Sequence, residues 1–314
     1  HIDQAKLDSD RGVYYNALDN LEKALGIAEK IDDKSSQGKV YTKIAKVQFL
    51  VNEQDQANIS LAKATKLQRE NNDFANLAIT YNIKGVIQST KEEYESALEY
   101  FNSAKTLFEQ ESLEEYISEV TLNEAKALIA LNRYEEAKAK LEKTIILAKK
   151  YEQKRRLSSA LIQKGKVSSA LNNSKLALYQ TEEGLSIAQA NNISENINDA
   201  YLTLSDIYKK QGDYKNSFNY ITKHIQISDS ILNVRRENLA LGITGQSINQ
   251  YKDAKNAQLK ATLDEVSAES NFTRITTILS IALITILSLL TLSLYKNNNI
   301  RLKTNNMLHK KNDE

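Results

Sequence analysis

The sequence predicts an all-α protein: a solenoid of six 40-residue helical hairpins, followed by a long stalk helix and one transmembrane helix. Three observations lead to this prediction. The chain has no Pro, no Trp and only 9 Gly among 314 residues, a composition that favours nearly continuous helix. Small residues recur with a strict 40-residue period, which is typical of repeat architectures. An uncharged apolar segment near the C-terminus is long enough to cross a membrane.

Composition also limits the possible functions. The 42 basic and 40 acidic side chains leave a formal net charge of +2, so no global electrostatic attraction to nucleic acid is expected. The absence of Cys excludes disulfides and thiolate chemistry. No Gly-rich phosphate loop, metal-ligand motif or nucleophile elbow occurs in the sequence. We therefore expect no catalytic residue, no cofactor and no metal site in these 314 residues.

Two columns of small residues predict the hairpins. Small side chains allow the two helices of a hairpin to approach each other closely. Two further columns, four and seven positions after the later one and mostly apolar or small, mark one helix face. The earlier column, assigned to the first helix, holds Ala5, Ala45, Gly85, Ala125, Gly165 and Ser205. The later column, assigned to the second helix, holds Ala17, Ala57, Ala97, Ala137, Ala177 and Ser217.

This pattern resembles the tetratricopeptide repeat (TPR), whose second helix opens with Tyr-x-x-Ala. The sixth repeat matches best, because Tyr201, Leu204 and Tyr208 precede the Gly-Asp-Tyr sequence that starts at Gly212. The period is 40 residues where the family usually has about 34, and the Pro that normally closes each repeat is missing, so we expect lengthened helices. The resemblance therefore implies a TPR-like α-solenoid.

Polar turn signals predict where the helices end. Examples are the segments 32–35, 71–73 and 191–194, which are rich in Asp, Asn and Ser. Ser112 and Glu115 have the spacing of a capping box, which predicts that Ser112 is a helix N-cap.

The membrane segment is predicted at Ile275–Leu294, which contains no charged residue. At about 1.5 Å per residue a helix of this length spans roughly 30 Å, the thickness of the hydrocarbon core. Five Lys or Arg residues occur in the nineteen positions after Tyr295, and two in the nineteen before Ile275. This asymmetry predicts a cytoplasmic C-terminus and extracytoplasmic repeats, which requires an export signal upstream of His1.

The predicted domains are the solenoid at 1–230 with a truncated first repeat, the helical stalk at 231–274, the transmembrane helix at 275–294 and a truncated cytoplasmic juxtamembrane helix at 295–314. Breaks in the stalk are expected at Gly242 and Gly245. Leu259, Leu263 and Val266 keep a 4-3 spacing, too short to argue a coiled coil. A homodimer through the stalk and the transmembrane helix remains open.

This architecture resembles the sensor half of TPR-containing histidine kinases of Bacteroidetes-type bacteria. The resemblance implies a single-pass protein of the bacterial inner membrane, with a kinase domain beyond residue 314. His309 lacks the sequence context of a phosphoacceptor. Two alternatives stay open: a membrane-anchored transcriptional regulator with a helix-turn-helix output, and a scaffold for protein assembly.

A column of basic residues follows the small residue of the first helix. In the resembled fold the first helices line a concave groove, so these lysines are predicted to receive an acidic peptide or carboxylate ligand. No nucleic acid is expected to bind this segment. The alternative, that the lysines are simply solvated, stays open. The column holds Lys6, Lys46, Lys126 and Lys166, and the neighbouring candidates are Lys39, Lys43 and Asn82.

Overall fold

The computed structural model describes the backbone of residues 1–241 and 245–312, and all regular structure in these ranges is α-helical. The chain divides into two compact units, His1–Ile243 and Thr244–Glu314. The helices of the first unit are α1 (Ile2–Asp10), α2 (Tyr14–Lys30), α3 (Lys34–Leu50), α4 (Gln54–Glu70), α5 (Phe74–Thr90), α6 (Tyr94–Gln110), α7 (Glu114–Ala130), α8 (Tyr134–Lys150), α9 (Lys154–Ala170), α10 (Ser174–Ala190), α11 (Ser194–Lys210) and α12 (Tyr214–Leu241). The second unit contains α13 (Gly245–Asn312).

Six helical hairpins form the first unit, as predicted, and their ten central helices are identical in length. Each helix from α2 to α11 has 17 residues. Three-residue linkers join them, so each helix begins 20 residues after the one before. Two such steps give the 40-residue period of the sequence. α1 is shorter, with 9 residues.

Every linker ends its helix with the same backbone geometry. The middle residue has a positive φ, and it recurs every 20 residues from Gly12 to Gly212. In the linker between α2 and α3, Asp32 N–H donates to the Glu29 carbonyl at 3.1 Å and Asp33 N–H donates to the Ala28 carbonyl at 2.9 Å. This pair of bonds is a Schellman motif, which satisfies carbonyls that the helix end would leave open.

The turn signals in the sequence correctly located several of these linkers. Asp33 and Asp73 are helix N-caps, whose carboxylates accept hydrogen bonds from the backbone N–H of Ser36 and Asn76. The prediction for Ser112 is wrong. Ser112 has a φ of 57° and occupies the middle of a linker. The N-cap of α7 is Leu113, which makes no side-chain capping bond.

The small-residue columns allow close packing within each hairpin, as predicted. Ala45 and Ala57 are both completely buried in one hairpin. A Cβ atom on Gly85 would lie 2.5 Å from the ring of Phe101, closer than two carbons can approach. Larger side chains in these columns would push the two helices of a hairpin apart.

The first helices of the hairpins form one layer of the solenoid. α3 contacts α5, α5 contacts α7, α7 contacts α9 and α9 contacts α11, whereas the second helices pack mainly against the first helices of their own and the following repeat. α12 also contacts α2. The array therefore curves far enough for its last helix to reach its first complete helix.

Among the described residues, one segment is long and apolar enough to cross a membrane. It is Ile275–Lys303, a 29-residue part of α13 whose side chains are not buried in the protein. The predicted break at Gly242 lies outside the described residues, and α13 begins at Gly245. α12 is one continuous helix past residue 230, and the domain boundaries at 230, 274 and 294 remain predictions.

Candidate binding channel

A cavity of about 600 Å³ opens on the layer of first helices, and we call it the channel cavity. Its walls come from α3, α7, α9 and α11, which belong to repeats two, four, five and six. The cavity thus joins residues that are far apart in the sequence. The residues lining it are Lys46, Glu119, Leu122, Lys126, Gln153, Lys154, Arg155, Arg156, Ser159 and Asn196.

The lining of the channel cavity carries a large excess of positive charge. Five of the ten side chains are cations and one, Glu119, is a carboxylate. Arg156 binds Glu119 at 2.5 Å, and Arg155 binds Glu195 at 3.0 Å where both side chains are largely exposed. Across the described part of the chain, the other three cations of the lining, Lys46, Lys126 and Lys154, form no ion pair.

Lys126 lies between the walls of this cavity. The Lys126 side chain is exposed to solvent, yet desolvation by the surrounding protein lowers its pKa below the usual value. Asp199 and Glu119 raise the pKa and Lys166 lowers it, each by less than desolvation does. Both carboxylates are paired with other cations, so a further anion beside Lys126 would stabilise its charged form.

A smaller cavity of about 140 Å³ brings together two residues of the predicted basic column and one neighbouring candidate. Lys6, Lys43 and Lys46 line it, and Lys46 also lines the channel cavity. Burial lowers the pKa of Lys43, and the charges of Lys46 and Lys6 lower it further. The structure therefore extends the positive region from the channel cavity towards α1.

The remaining candidates from the sequence have partners within the protein. Lys39 lies 4.0 Å from Asp73. Lys166 binds Asp199 at 2.6 Å and lines a different cavity, of about 550 Å³, beside Lys209 and Lys210.

Asn82 is nearly buried, with 7% of its surface exposed. Its side-chain N–H donates to Glu119 at 3.4 Å, and its carbonyl accepts from Asn123 at 3.0 Å. This residue helps to hold Glu119 rather than facing an open groove. The lysine candidates from the sequence thus fall into two sets. Lys39 and Lys166 form ion pairs, whereas Lys6, Lys43, Lys46 and Lys126 form none in the described part of the chain.

The basic column does not include the cations at the start of α9. Lys154, Arg155 and Arg156 form a consecutive basic run in the sequence. The run lies about ten residues before Gly165, the small residue that defines the position of Lys166 in the column. The three residues form the first turn of α9, where the helix dipole adds partial positive charge. Side chains and helix end therefore favour an anion at the same place.

Another lysine cluster contains its own anion. Glu124, on α7, is 3% exposed, and it binds Lys140 at 2.7 Å and Lys105 at 3.4 Å. This cluster joins the second helices α6 and α8 to α7. Both lysines of this cluster therefore have an anionic partner within the protein.

Other polar groups give no indication of catalysis. Among the residues that the structure describes, no three His, Asp or Glu side chains lie close enough together to hold a metal ion. His224 lies 3.0 Å from the carbonyl of Asn198. Because a carbonyl only accepts, Nδ1 of His224 carries the proton and donates it. This contact ties α12 to α11.

Comparisons with solved structures identify the same architecture. The Rap conjugation gene regulator of the plasmid pLS20, in complex with the Phr* peptide, has a TM-score of 0.62 at 16% identity, over 78% of this chain and 64% of that one. The apo form of RapI has a TM-score of 0.60 at 16% identity, over 74% and 86%. A signal transduction ATPase (STAND) with a tetratricopeptide repeat sensor, from Pyrococcus horikoshii, has a TM-score of 0.60 at 18% identity, over 84% and 43%.

The comparison with protein families places a tetratricopeptide repeat at residues 199–230, which is the sixth repeat, the one that matches the motif best. The search of curated proteins finds no match. At these identities the solved structures show the fold alone. The chain is therefore an all-α, TPR-like solenoid that contains a tetratricopeptide repeat and is suited to binding proteins.

Proposed function

We propose that this chain is the ligand-sensing region of a single-span membrane signalling protein, and that a peptide or protein binds in the channel cavity. The observation that carries the proposal is that three cations of that cavity, Lys46, Lys126 and Lys154, form no ion pair in the described part of the chain. In a structural cluster each lysine would bind a carboxylate of the protein, as Lys105 and Lys140 bind Glu124. A ligand site is left incomplete until the ligand arrives.

The fold supports this proposal. A Rap regulator with the same architecture is seen with a bound Phr* peptide, and the STAND protein carries its tetratricopeptide repeats as a sensor. In a solenoid each repeat contacts mainly its neighbours, so small rotations add along the array. Occupation of the channel therefore has a physical route to the end of the array, provided that the ligand binds one curvature better than another.

The apolar segment Ile275–Lys303 supports attachment to a membrane. The excess of Lys and Arg after this segment favours a cytoplasmic C-terminus and repeats in the periplasm. For the output we favour a histidine kinase of the bacterial inner membrane, encoded beyond residue 314. A helix-turn-helix regulator and a scaffold are the alternatives. Dimerisation through the stalk and the transmembrane helix completes the proposal.

Orientation can be tested directly because the chain has no Cys. Ser186→Cys places one thiol on the exposed side of α10, and Lys303→Cys places another at the C-terminal end of the apolar segment. In intact cells we expect a membrane-impermeant maleimide to label the first variant only. Labelling of the second variant alone would reverse the orientation, and equal labelling of both would exclude the single span.

Ligand binding is tested with the whole chain in nanodiscs of neutral lipid, using a fluorescent peptide library of varied charge. We expect saturable binding of a subset of peptides, and weaker binding when salt is increased, because charge screening reduces attraction to the channel cavity. No saturable binding by any peptide or candidate protein would contradict the sensor role. The gene sequence downstream of residue 314 then decides among kinase, helix-turn-helix and scaffold.

A further inference from the structure

We propose that the channel cavity holds several carboxylates of one acidic peptide segment, and that this segment bridges Lys46 of repeat two to Lys126, Lys154 and Arg155 of repeats four and five. We call the part of the array around repeat two one arm and the part around repeats four and five the other. Bound in this way, the peptide clamps these two arms together. The inference rests on the proposed function and specifies both the ligand class and the movement that it produces.

The bridging geometry follows from the walls of the cavity. Lys46 on α3 and Arg155 on α9 line the same space, although two complete hairpins separate their helices in the sequence. The contact between α12 and α2 shows the same curvature at the ends of the array. A ligand in this cavity consequently contacts both arms at once.

The charges supply the reason for closure. Lys46, Lys126 and Lys154 line the cavity without an ion pair in the described part of the chain, and Glu119 is already bound to Arg156 at 2.5 Å. Carboxylates placed between the arms would give these lysines charge-assisted hydrogen bonds. These bonds are strongest when the arms are close, so the ligand favours the more closed curvature, which is the differential affinity that a conformational shift requires.

The lining favours a peptide over other polyanions. The cations are distributed over α3, α7 and α9, which fits several carboxylates along a backbone better than one small anion. None of the ten lining residues is aromatic, so the cavity lacks the stacking surfaces with which proteins bind single-stranded nucleic acid. Its volume of about 600 Å³ lies within the range of ordinary ligand pockets.

The first experiment measures binding to the whole chain in neutral-lipid nanodiscs by fluorescence anisotropy. The probes are fluorescein-labelled hexaglutamate and hexaserine peptides, with inorganic phosphate as competitor. We expect hexaglutamate to bind and hexaserine not to bind. Lys46→Glu combined with Lys126→Glu should weaken hexaglutamate binding at least tenfold. Lys66→Glu, an exposed position of α4 on the other layer, is the matched control and should change it less than twofold.

The second experiment measures closure. Nitroxide labels on Asp55→Cys in α4 and Ser186→Cys in α10, both exposed, report the distance between the two arms by pulsed electron spin resonance. We expect hexaglutamate to shorten this distance in the otherwise unchanged chain. The additional change Lys46→Glu should abolish the shortening. Circular dichroism confirms that each variant is folded.

Each result distinguishes this inference from the proposed function. Hexaglutamate that binds equally well to the double variant would overturn the channel site. Binding without a change in distance would overturn the clamp. Displacement of hexaglutamate by millimolar phosphate at constant ionic strength would indicate a small-anion site and overturn the peptide. Failure of hexaglutamate together with tight binding of a neutral library peptide would overturn this inference while the proposed sensor function survives.

Discussion

Two groups of lysines on the same solenoid differ in how their charges are balanced. At the interface of α6, α7 and α8, Lys105 and Lys140 converge on the buried carboxylate of Glu124. In the channel cavity, Lys46, Lys126 and Lys154 converge on open space. The first group is part of the packing between helices. The second group forms no ion pair in the described part of the chain, and in our proposal a ligand supplies the missing anion.

The difference shows that frequency and spacing of a residue type do not identify a site. Lys39, Lys126 and Lys166 all belong to the basic region predicted from the sequence, yet Lys39 and Lys166 form an ion pair with an aspartate and Lys126 forms none in the described part of the chain. The presence or absence of an internal ion pair separates structural cations from those that we propose bind a ligand. Substitutions in the two groups should therefore have opposite effects on stability.

The largest effect on stability is expected in the cluster around Glu124. Glu124→Gln keeps the shape of the side chain but removes the buried charge that two lysines require, so we expect a loss of about 1.5–3 kcal/mol in the free energy of unfolding. Chemical denaturation measured by circular dichroism tests this. Glu135→Gln, on the exposed surface of α8, is the control and should change little. A loss below that of the control would remove the distinction between the groups.

A smaller effect should come from the backbone that precedes the channel helix α9. Glu152 has a φ of 54°, a conformation that is unfavourable for a residue with a Cβ atom. Glu152→Gly should raise stability by about 0.5–1 kcal/mol, while ligand binding in the channel cavity stays unchanged. Asn72→Gly in the inter-hairpin linker between α4 and α5 is the matched control, because Asn72 has the same φ of 54° and Asn tolerates this conformation. An equal gain at both positions would mean that strain is not the cause.

The smallest effect is expected at Lys126, where the sign is reversed. Burial lowers the pKa of Lys126 in the folded state, so the unfolded chain holds this proton more tightly, and stability rises with pH between the lowered pKa and the unfolded value near 10.5. Lys126→Met removes this dependence. At neutral pH it should stabilise the protein by about 0.5 kcal/mol, since solvent partly screens the ammonium.

Urea titrations of the unsubstituted chain and the Lys126→Met variant from pH 7 to 10.5 test this prediction. The advantage of the variant should shrink as pH rises. The comparison between the two groups fails if Lys126→Met destabilises the protein, because Lys126 would then have a structural partner.

Much of the fold was predictable from the sequence because packing within a hairpin is local. The columns that include Ala45 and Ala57 recur in fixed register, and both residues are completely buried. Linkers with Asp or Asn were visible as turn signals. Linkers at Glu92, Ser112 and Glu152 were not, because these residues do not favour a positive φ and adopt it only where the regular length of the helices imposes it.

The candidate site was only partly predictable, for a different reason. The open groups of Lys46 and Lys126 could be listed from their column, but their convergence with Lys154 and Arg155 depends on the curvature accumulated over several hairpins. No short sequence window contains this curvature. Likewise, the partners of Lys39 and Lys166 lie about one repeat away in sequence, on the neighbouring first helix, and become apparent only once the repeats are stacked.

Because each helix begins 20 residues after the one before, the number of repeats between two residues determines how far apart they lie along the solenoid. Duplication or deletion of one complete 40-residue unit between α4 and α7 would leave the local contacts of the hairpins intact, yet it would rotate Lys46 to a new position relative to α9. The number of repeats would then set which ligand lengths fit across the channel. Changes in specificity could thus arise by recombination of whole repeats, with no substitution in any lining residue.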